Sequence, residues 1–189
     1  MWLLILLWLV FGISHSLLAA TKVRAFFETL TPNKPHIFRL IYNGIALILL
    51  LLIVLKTFKT NTHLVSNNYL IVQLMGFSML LMGLFILFGV AKQMDLKAFL
   101  GFKSESLGGE LMTGGWYKIV RHPLYLGTLS VIIGLLLLVP TVNVLISVVF
   151  SQLYVALGIE FEEQKLRRIF GQTYMDYSKG KKKFIPFIY

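Results

Sequence analysis

Two apolar runs, residues 124–139 and 142–158, are separated by Pro140 and bracketed by polar residues. Arg121-His122-Pro123 precedes the first, and Glu160, Glu162 and Glu163 follow the second. A helix in lipid must satisfy every backbone group internally, and proline cannot continue it, so Pro140 predicts a tight hairpin at the far membrane face. Arms of roughly 16 to 18 residues, rising about 1.5 Å per residue, nearly cross a hydrocarbon core of about 30 Å. The hairpin therefore returns the glutamates to the level of the arginine and histidine. Polar clusters distant in sequence become neighbours at one membrane surface, as an interfacial active site requires.

Of the 189 residues, 57% are hydrophobic and 14% charged, too apolar for a soluble domain of this size. The chain is expected to form one all-α membrane domain over residues 1–189, with five spans at about 1–20, 39–58, 69–91, 124–139 and 141–159. Three N-terminal spans (1–91) lead into a cytoplasmic cofactor loop (92–123), the helical hairpin (124–159), and a cytoplasmic helix and tail (160–189). The chain has no cysteine, which excludes disulfides, thiolate nucleophiles and cysteine-based metal sites. The first run ends in Leu17-Leu18-Ala19-Ala20, like a cleavage region, but no Lys or Arg precedes Lys22, so retention as a span is expected.

Charge sets the orientation. With the N-terminus outside, all 18 Lys and Arg residues except Lys56 and Lys59 fall on the inner side, as the positive-inside rule requires. The C-terminus is then cytoplasmic and the membrane a bacterial inner membrane. The net charge of +10 is mostly this topology signal, together with an attraction for anionic lipid headgroups. Lys181-Lys182-Lys183 is juxtamembrane and no nucleic-acid motif accompanies it, so no nucleic-acid partner is expected.

Residues 92–103 mix charges with Leu96, Phe99, Leu100 and Phe102, the pattern of a short helix lying in the interface. Gly101, Gly108, Gly109, Gly114 and Gly115 then punctuate a loop ending in Trp116-Tyr117. Such glycines are either flexible turns or places where backbone approaches a ligand, and the aromatics are either an interfacial belt or a ligand wall. Pro123 suits the first turn of the fourth span, where its missing N–H costs nothing. Arg121 and that helix N-terminus could receive a carboxylate, or Arg121 and His122 could be positive-inside anchors. The glutamates could begin a solvated helix over 160–169, with Glu163 paired to Arg167, or bind a polar ligand.

Gly115-Trp116-Tyr117, Arg121-His122-Pro123-x-Tyr125-x-Gly127, and then Glu162-Glu163-x-x-Leu166-x-x-x-Phe170-Gly171-x-x-Tyr174-x-x-Tyr177 with Pro186 resemble one superfamily. It is that of the isoprenylcysteine carboxyl methyltransferases and phospholipid N-methyltransferases, and the likeness runs from about residue 109 to the C-terminus. The resemblance implies S-adenosylmethionine bound in a cytoplasmic pocket made from these two motifs. Leu111 and Met112 would give main-chain contacts and Tyr117 would flank the cofactor. His122, Pro123, Tyr125 and Gly127 would line it, with Glu162 and Glu163 completing the polar wall. A sulfonium is favoured beside aromatic faces and carboxylates, and Arg121 suits the cofactor's own carboxylate. Methyl transfer needs positioning above all, and His122 or Glu162 could accept the acceptor's proton. His122, Glu162 and Arg121 are therefore the catalytic candidates.

Trp8-x-x-Phe11-Gly12-x-Ser14-His15-Ser16 resembles the NnrU-like branch, which includes methanethiol S-methyltransferases. A histidine inside a span needs a partner, which makes His15 a site candidate or the donor of an interhelical hydrogen bond to Asn43 or Gln73. A haem reading would use His15 with His36 or His122, and no other metal site is expected. Gly158 stands where the prenylcysteine enzymes carry an arginine, and Lys183 where arginine is common, which argues against a prenylcysteine carboxylate. The expected activity is methyl transfer to a small or lipophilic acceptor, foremost a thiol. A phospholipid amine or prenylcysteine acceptor, a haem-binding membrane protein and a non-enzymatic scaffold are the alternatives.

Overall fold

The computed structural model describes residues 1–30, 36–59, 62–64, 69–102 and 110–183. Among these, the ordered elements are helical. They form two compact units, residues 1–62 with 94–107, and residues 63–93 with 108–189.

The first unit holds α1 (Trp2–Ala19), α2 (Thr21–Leu30), α3 (His36–Phe58) and the short α5 (Leu96–Leu100). On α1 the residues at helical spacing, Leu4, Trp8 and Phe11, are buried, while Leu3, Leu6, Ile13 and Leu17 remain exposed, as for a helix facing lipid. Residues 21–30, between the first two expected spans, form α2, whose Phe27 stacks on Phe38 of α3 at 4.9 Å. The interfacial helix expected at 92–103 is the five-residue α5, capped by the Asp95 carboxylate, which accepts from the Ala98 amide at 3.1 Å. It ends at Gly101, whose φ of +92° and approach to the α3 backbone both demand glycine: a Cβ there would stand 2.7 Å from the Leu40 nitrogen.

The second unit is built on α4 (Leu70–Ala91), α6 (Pro123–Leu138) and α7 (Val142–Phe170), with α8 (Gln172–Lys179) behind them. Gly76 and Gly83 of α4 face Gly127 and Gly134 of α6. A Cβ on Gly83 would lie 2.6 Å from the Gly127 carbonyl oxygen, and one on Gly134 would lie 2.8 Å from that of Gly76. Small residues let the two backbones touch, which is how helices associate where lipid removes any hydrophobic drive between them.

The hairpin forms as the proline predicts. Helix α6 ends at Leu138 and α7 begins after Thr141, whose hydroxyl accepts from the Val144 amide at 3.3 Å. The Pro140 carbonyl accepts from Leu64 at 2.8 Å, tying that residue to the turn. Among the described residues four helices, α1, α3, α4 and α7, are long and apolar enough to cross a membrane. Helix α6, the fourth expected span, has 16 residues, about 24 Å of rise. Helix α7 joins two expected pieces, the last span and the helix at 160–169, into one helix of 29 residues.

Candidate active site

Helix α7 buries Val144, Val148, Ser151, Val155, Ile159 and Glu163 on one stripe at spacings of three and four. Glu163 thus continues the apolar face of the helix past the membrane and is completely buried, whereas Glu160 and Glu162, off the stripe, are exposed. A buried carboxylate is costly unless fully paired. Its partners are Arg121, with Nη1 at 2.8 Å from Oε1, His122, with Nε2 at 3.2 Å from the same oxygen, and Arg167, with Nη2 at 3.2 Å from Oε2. The pairing with Arg167 expected from their spacing is present, but it is one arm of a larger network.

His122 is 3% exposed and sits between two carboxylates, since its Nδ1 lies 3.7 Å from Oε2 of Glu162. Glu163 can only accept as a carboxylate, so Nε2 is the protonated ring nitrogen and Nδ1 is left facing Glu162. The ring is set by its place in the chain: His122 is the N-cap of α6, Pro123 follows in the first turn, and the Arg121 and His122 amides donate to the Lys182 and Lys183 carbonyls at 2.9 Å each. The residues after α8 therefore run beside residues 120–122, with a bridge between Val120 and Lys182. The pairing lies in the backbone, where no side-chain pattern announces it.

Aromatic groups close the other sides. The Tyr125 ring is 5.7 Å from that of His122, tilted by 40°. The Tyr125 hydroxyl lies 3.4 Å from where a Cβ would stand on Gly158, so a side chain there would lie against Tyr125. Tyr117 belongs to a short 3-10 turn, Gly115–Lys118; burial, and then the Glu162 charge, push its phenol above the ordinary range. Trp116 crosses α4 at Gly89, where a Cβ would stand 2.0 Å from Nε1, and meets Phe85 edge-on at 5.7 Å. At Gly115, φ is +55° and the Gln93 carboxamide fills the space a side chain would take. Tyr177 donates to the Tyr117 carbonyl at 2.7 Å; burial pushes its phenol up to about 12. Tyr174, 1% exposed, lies against the cluster; burial, and then Glu163, raise its phenol. Tyr174 and Tyr177 carry the sequence pattern, but their supporting place is visible only once α8 packs.

Arg121, His122, Tyr117, Tyr125, Glu162 and Glu163 are thus brought together. Gly127 lies at the α4–α6 seam, where a Cβ would meet Leu87 at 2.9 Å. Leu111 and Met112 lie in the irregular stretch before the 3-10 turn. Gly108, Gly109 and Pro186 lie outside the described residues. In the first unit His15 bonds through Nε2 to the Tyr42 hydroxyl and stacks on Phe11 at 5.3 Å, whereas Asn43 donates to the Phe99 carbonyl at 3.0 Å. The partner expected at Asn43 is therefore its neighbour Tyr42. Among the described residues no group of three or more His, Asp and Glu side chains is placed to hold a metal ion.

Apolar helices running into a polar, aromatic-walled cluster define the class, an integral membrane protein with a candidate active site where its helices end. The chain belongs to the phospholipid methyltransferase family, which it matches over residues 71–173. Methanethiol S-methyltransferase of Pseudomonas deceptionensis is 26% identical over 194 residues, covering 96% of this chain and 71% of the relative. Methanethiol S-methyltransferase 2 of Bradyrhizobium diazoefficiens is 33% identical over 103 residues, 54% of this chain and 37% of the relative. Protein-S-isoprenylcysteine O-methyltransferase B of Arabidopsis thaliana is 33% identical over 81 residues, 42% of this chain and 41% of the relative. No solved structure matches. The superfamily read from the motifs therefore holds, including the likeness to methanethiol S-methyltransferases.

Proposed function

We propose that the protein transfers the methyl group of S-adenosylmethionine to a small or lipophilic thiol at the cytoplasmic face of a bacterial inner membrane. The observation that carries this reading is His122 held between Glu163 and Glu162 at 3.2 and 3.7 Å, with Tyr125 beside it. The names of the Pseudomonas and Bradyrhizobium relatives support the thiol.

The side chains present suit a sulfonium cofactor. Glu162 is the accessible carboxylate, its side chain 44% exposed, and its charge acts on Tyr117. A cation beside that carboxylate and the faces of Tyr117 and Tyr125 gains charge attraction and cation–π attraction together. When bound, S-adenosylmethionine supplies an electrophilic methyl group on its sulfonium sulfur.

The remaining chemistry belongs to the chain. With Nε2–H committed to Glu163, His122 Nδ1 takes the proton of the acceptor thiol, and Glu162 stabilises the imidazolium that results. Arg121 and Glu163 fix the ring, so positioning is set before the acceptor arrives. Pro123 holds the start of α6, and Leu111 and Met112 supply main-chain contacts to the cofactor. Gly158 offers no charge to a prenylcysteine carboxylate, and a phospholipid amine could use the same proton acceptor.

Calorimetric titration of detergent-purified protein with S-adenosylhomocysteine tests the reading. Saturable binding, weakened about tenfold in Glu162→Gln by loss of a charge-assisted contact, is expected. Folded protein that binds none of it would overturn the proposal.

A further inference from the structure

The residues after α8 do more than brace the cluster. Residues 178–183 and Arg121 line an open cavity of about 340 Å³. Its charged lining is wholly basic: Arg121, Lys179, Lys181, Lys182 and Lys183. Arg121 pairs with Glu163 at 2.8 Å, Lys179 with Asp176 at 3.0 Å and Lys183 with Glu160 at 3.6 Å. Among the described residues, five cations against three carboxylates leave a positive surplus on Lys181 and Lys182. Among the described residues no acidic side chain lines the cavity itself.

Its depth follows from the backbone. Arg121 and His122 immediately precede α6, so they mark where that apolar helix begins. Their amides bond to Lys182 and Lys183, which fixes the lysines at the same level. Helix α7 continues beyond Glu163 to Phe170, about 10 Å of rise, and the chain then comes back through α8 to residues 120–122. The lysines are thus returned to the surface where α6 starts rather than left projecting from it. Basic residues at that depth meet headgroup phosphates, and each is worth roughly a fivefold factor in affinity for an anionic surface.

We propose that the cavity between Arg121 and Lys179–Lys183 is a binding site for the phosphate-bearing headgroup of an anionic phospholipid. The site shares Arg121 with the His122 cluster but lies off the proposed transfer chemistry, which uses the Glu162 side of His122. A phosphodiester would accept from Lys181 and Lys182. Its acyl chains would lie beside the start of α6.

The test uses the whole protein in a nonionic detergent. Binding of dihexanoyl phosphatidylglycerol is measured by calorimetry beside dihexanoyl phosphatidylcholine, inorganic phosphate and S-adenosylhomocysteine. Saturable binding of the anionic lipid is expected, falling as salt rises from 0.05 to 0.5 M. The double substitution Lys181→Gln, Lys182→Gln should weaken it roughly ten- to thirtyfold while leaving S-adenosylhomocysteine affinity and thermal unfolding unchanged. The backbone bonds of residue 182 survive that substitution, so the variant keeps its fold. Four results would overturn the site: no saturable anionic lipid binding, equal binding of the phosphatidylcholine, inorganic phosphate binding as tightly as the lipid, or displacement of the lipid by S-adenosylhomocysteine.

Discussion

His122 and Glu163 stand 41 residues apart in sequence and 3.2 Å apart in space, Nε2 to Oε1. That contact joins the start of α6 to the C-terminal part of α7 and leaves the other ring nitrogen facing Glu162. It also separates the paired glutamates by role. On the proposed reading Glu163, buried and held by Arg121, His122 and Arg167, positions the ring, while Glu162, exposed, is left to meet what enters the site.

The two glutamates should therefore fail differently. Glu163→Ala leaves Arg121, whose side chain is 12% exposed, without its carboxylate, and should cost about 3–5 kcal/mol of stability. Glu162→Gln should change stability by less than about 0.5 kcal/mol and lower methyl transfer. Thermal unfolding in detergent beside activity separates them, and equal destabilisation would contradict the assignment.

Gly83→Ala would force a methyl to 2.6 Å from the Gly127 carbonyl oxygen and part α4 from α6, at about 1–3 kcal/mol. Gly44→Ala on α3 has open space around it and should be neutral or stabilising by up to about 1 kcal/mol. Melting temperatures of the two variants check both directions.

The α4–α6 seam, the α7 stripe and the hairpin differ in how far sequence reveals them. The hairpin is legible because Pro140 interrupts an apolar run, a signal local to a few residues. The burial of Glu163 is legible in principle, since Val155, Ile159 and Glu163 share one helical phase that Glu162 does not. The role of Gly127 is not legible from its motif alone, because a glycine beside a ligand and a glycine at a helix crossing look the same until α4 is in place. The bonds from Arg121 and His122 to Lys182 and Lys183 leave no trace in residue type. The partner of His15 was missed by one position, as Tyr42 and Asn43 both offer a polar group on α3.

Gly89→Ala would displace Trp116, whose Nε1 occupies that space, and carry Tyr117 out of line with Glu162. Expected are weaker S-adenosylhomocysteine binding, by about tenfold, and a red-shifted tryptophan emission that Trp116→Phe abolishes. Unchanged emission would place Trp116 elsewhere.

Tyr177 links pH to the site. Burial raises its phenol to about 12, so the folded state favours the protonated form that donates to Tyr117. Its contribution is complete below about 10, the ordinary tyrosine value, and is lost as pH rises through about 12. Melting temperature followed from pH 8 upward should fall more steeply above pH 10 in the native protein than in Tyr177→Phe. The variant should start lower by about 0.5–1.5 kcal/mol, the value of one hydrogen bond. Parallel pH curves would show that the phenol does not carry this dependence.

The most direct test of the account is methyl transfer itself. Purified protein is incubated with S-adenosylmethionine carrying an isotopically labelled methyl group and with a small alkanethiol, and the thioether is measured by mass spectrometry. The account predicts labelled thioether from the native protein and a loss of about 100-fold or more in a folded His122→Gln variant. Undiminished transfer by that variant, or no transfer by the folded native protein, would contradict it.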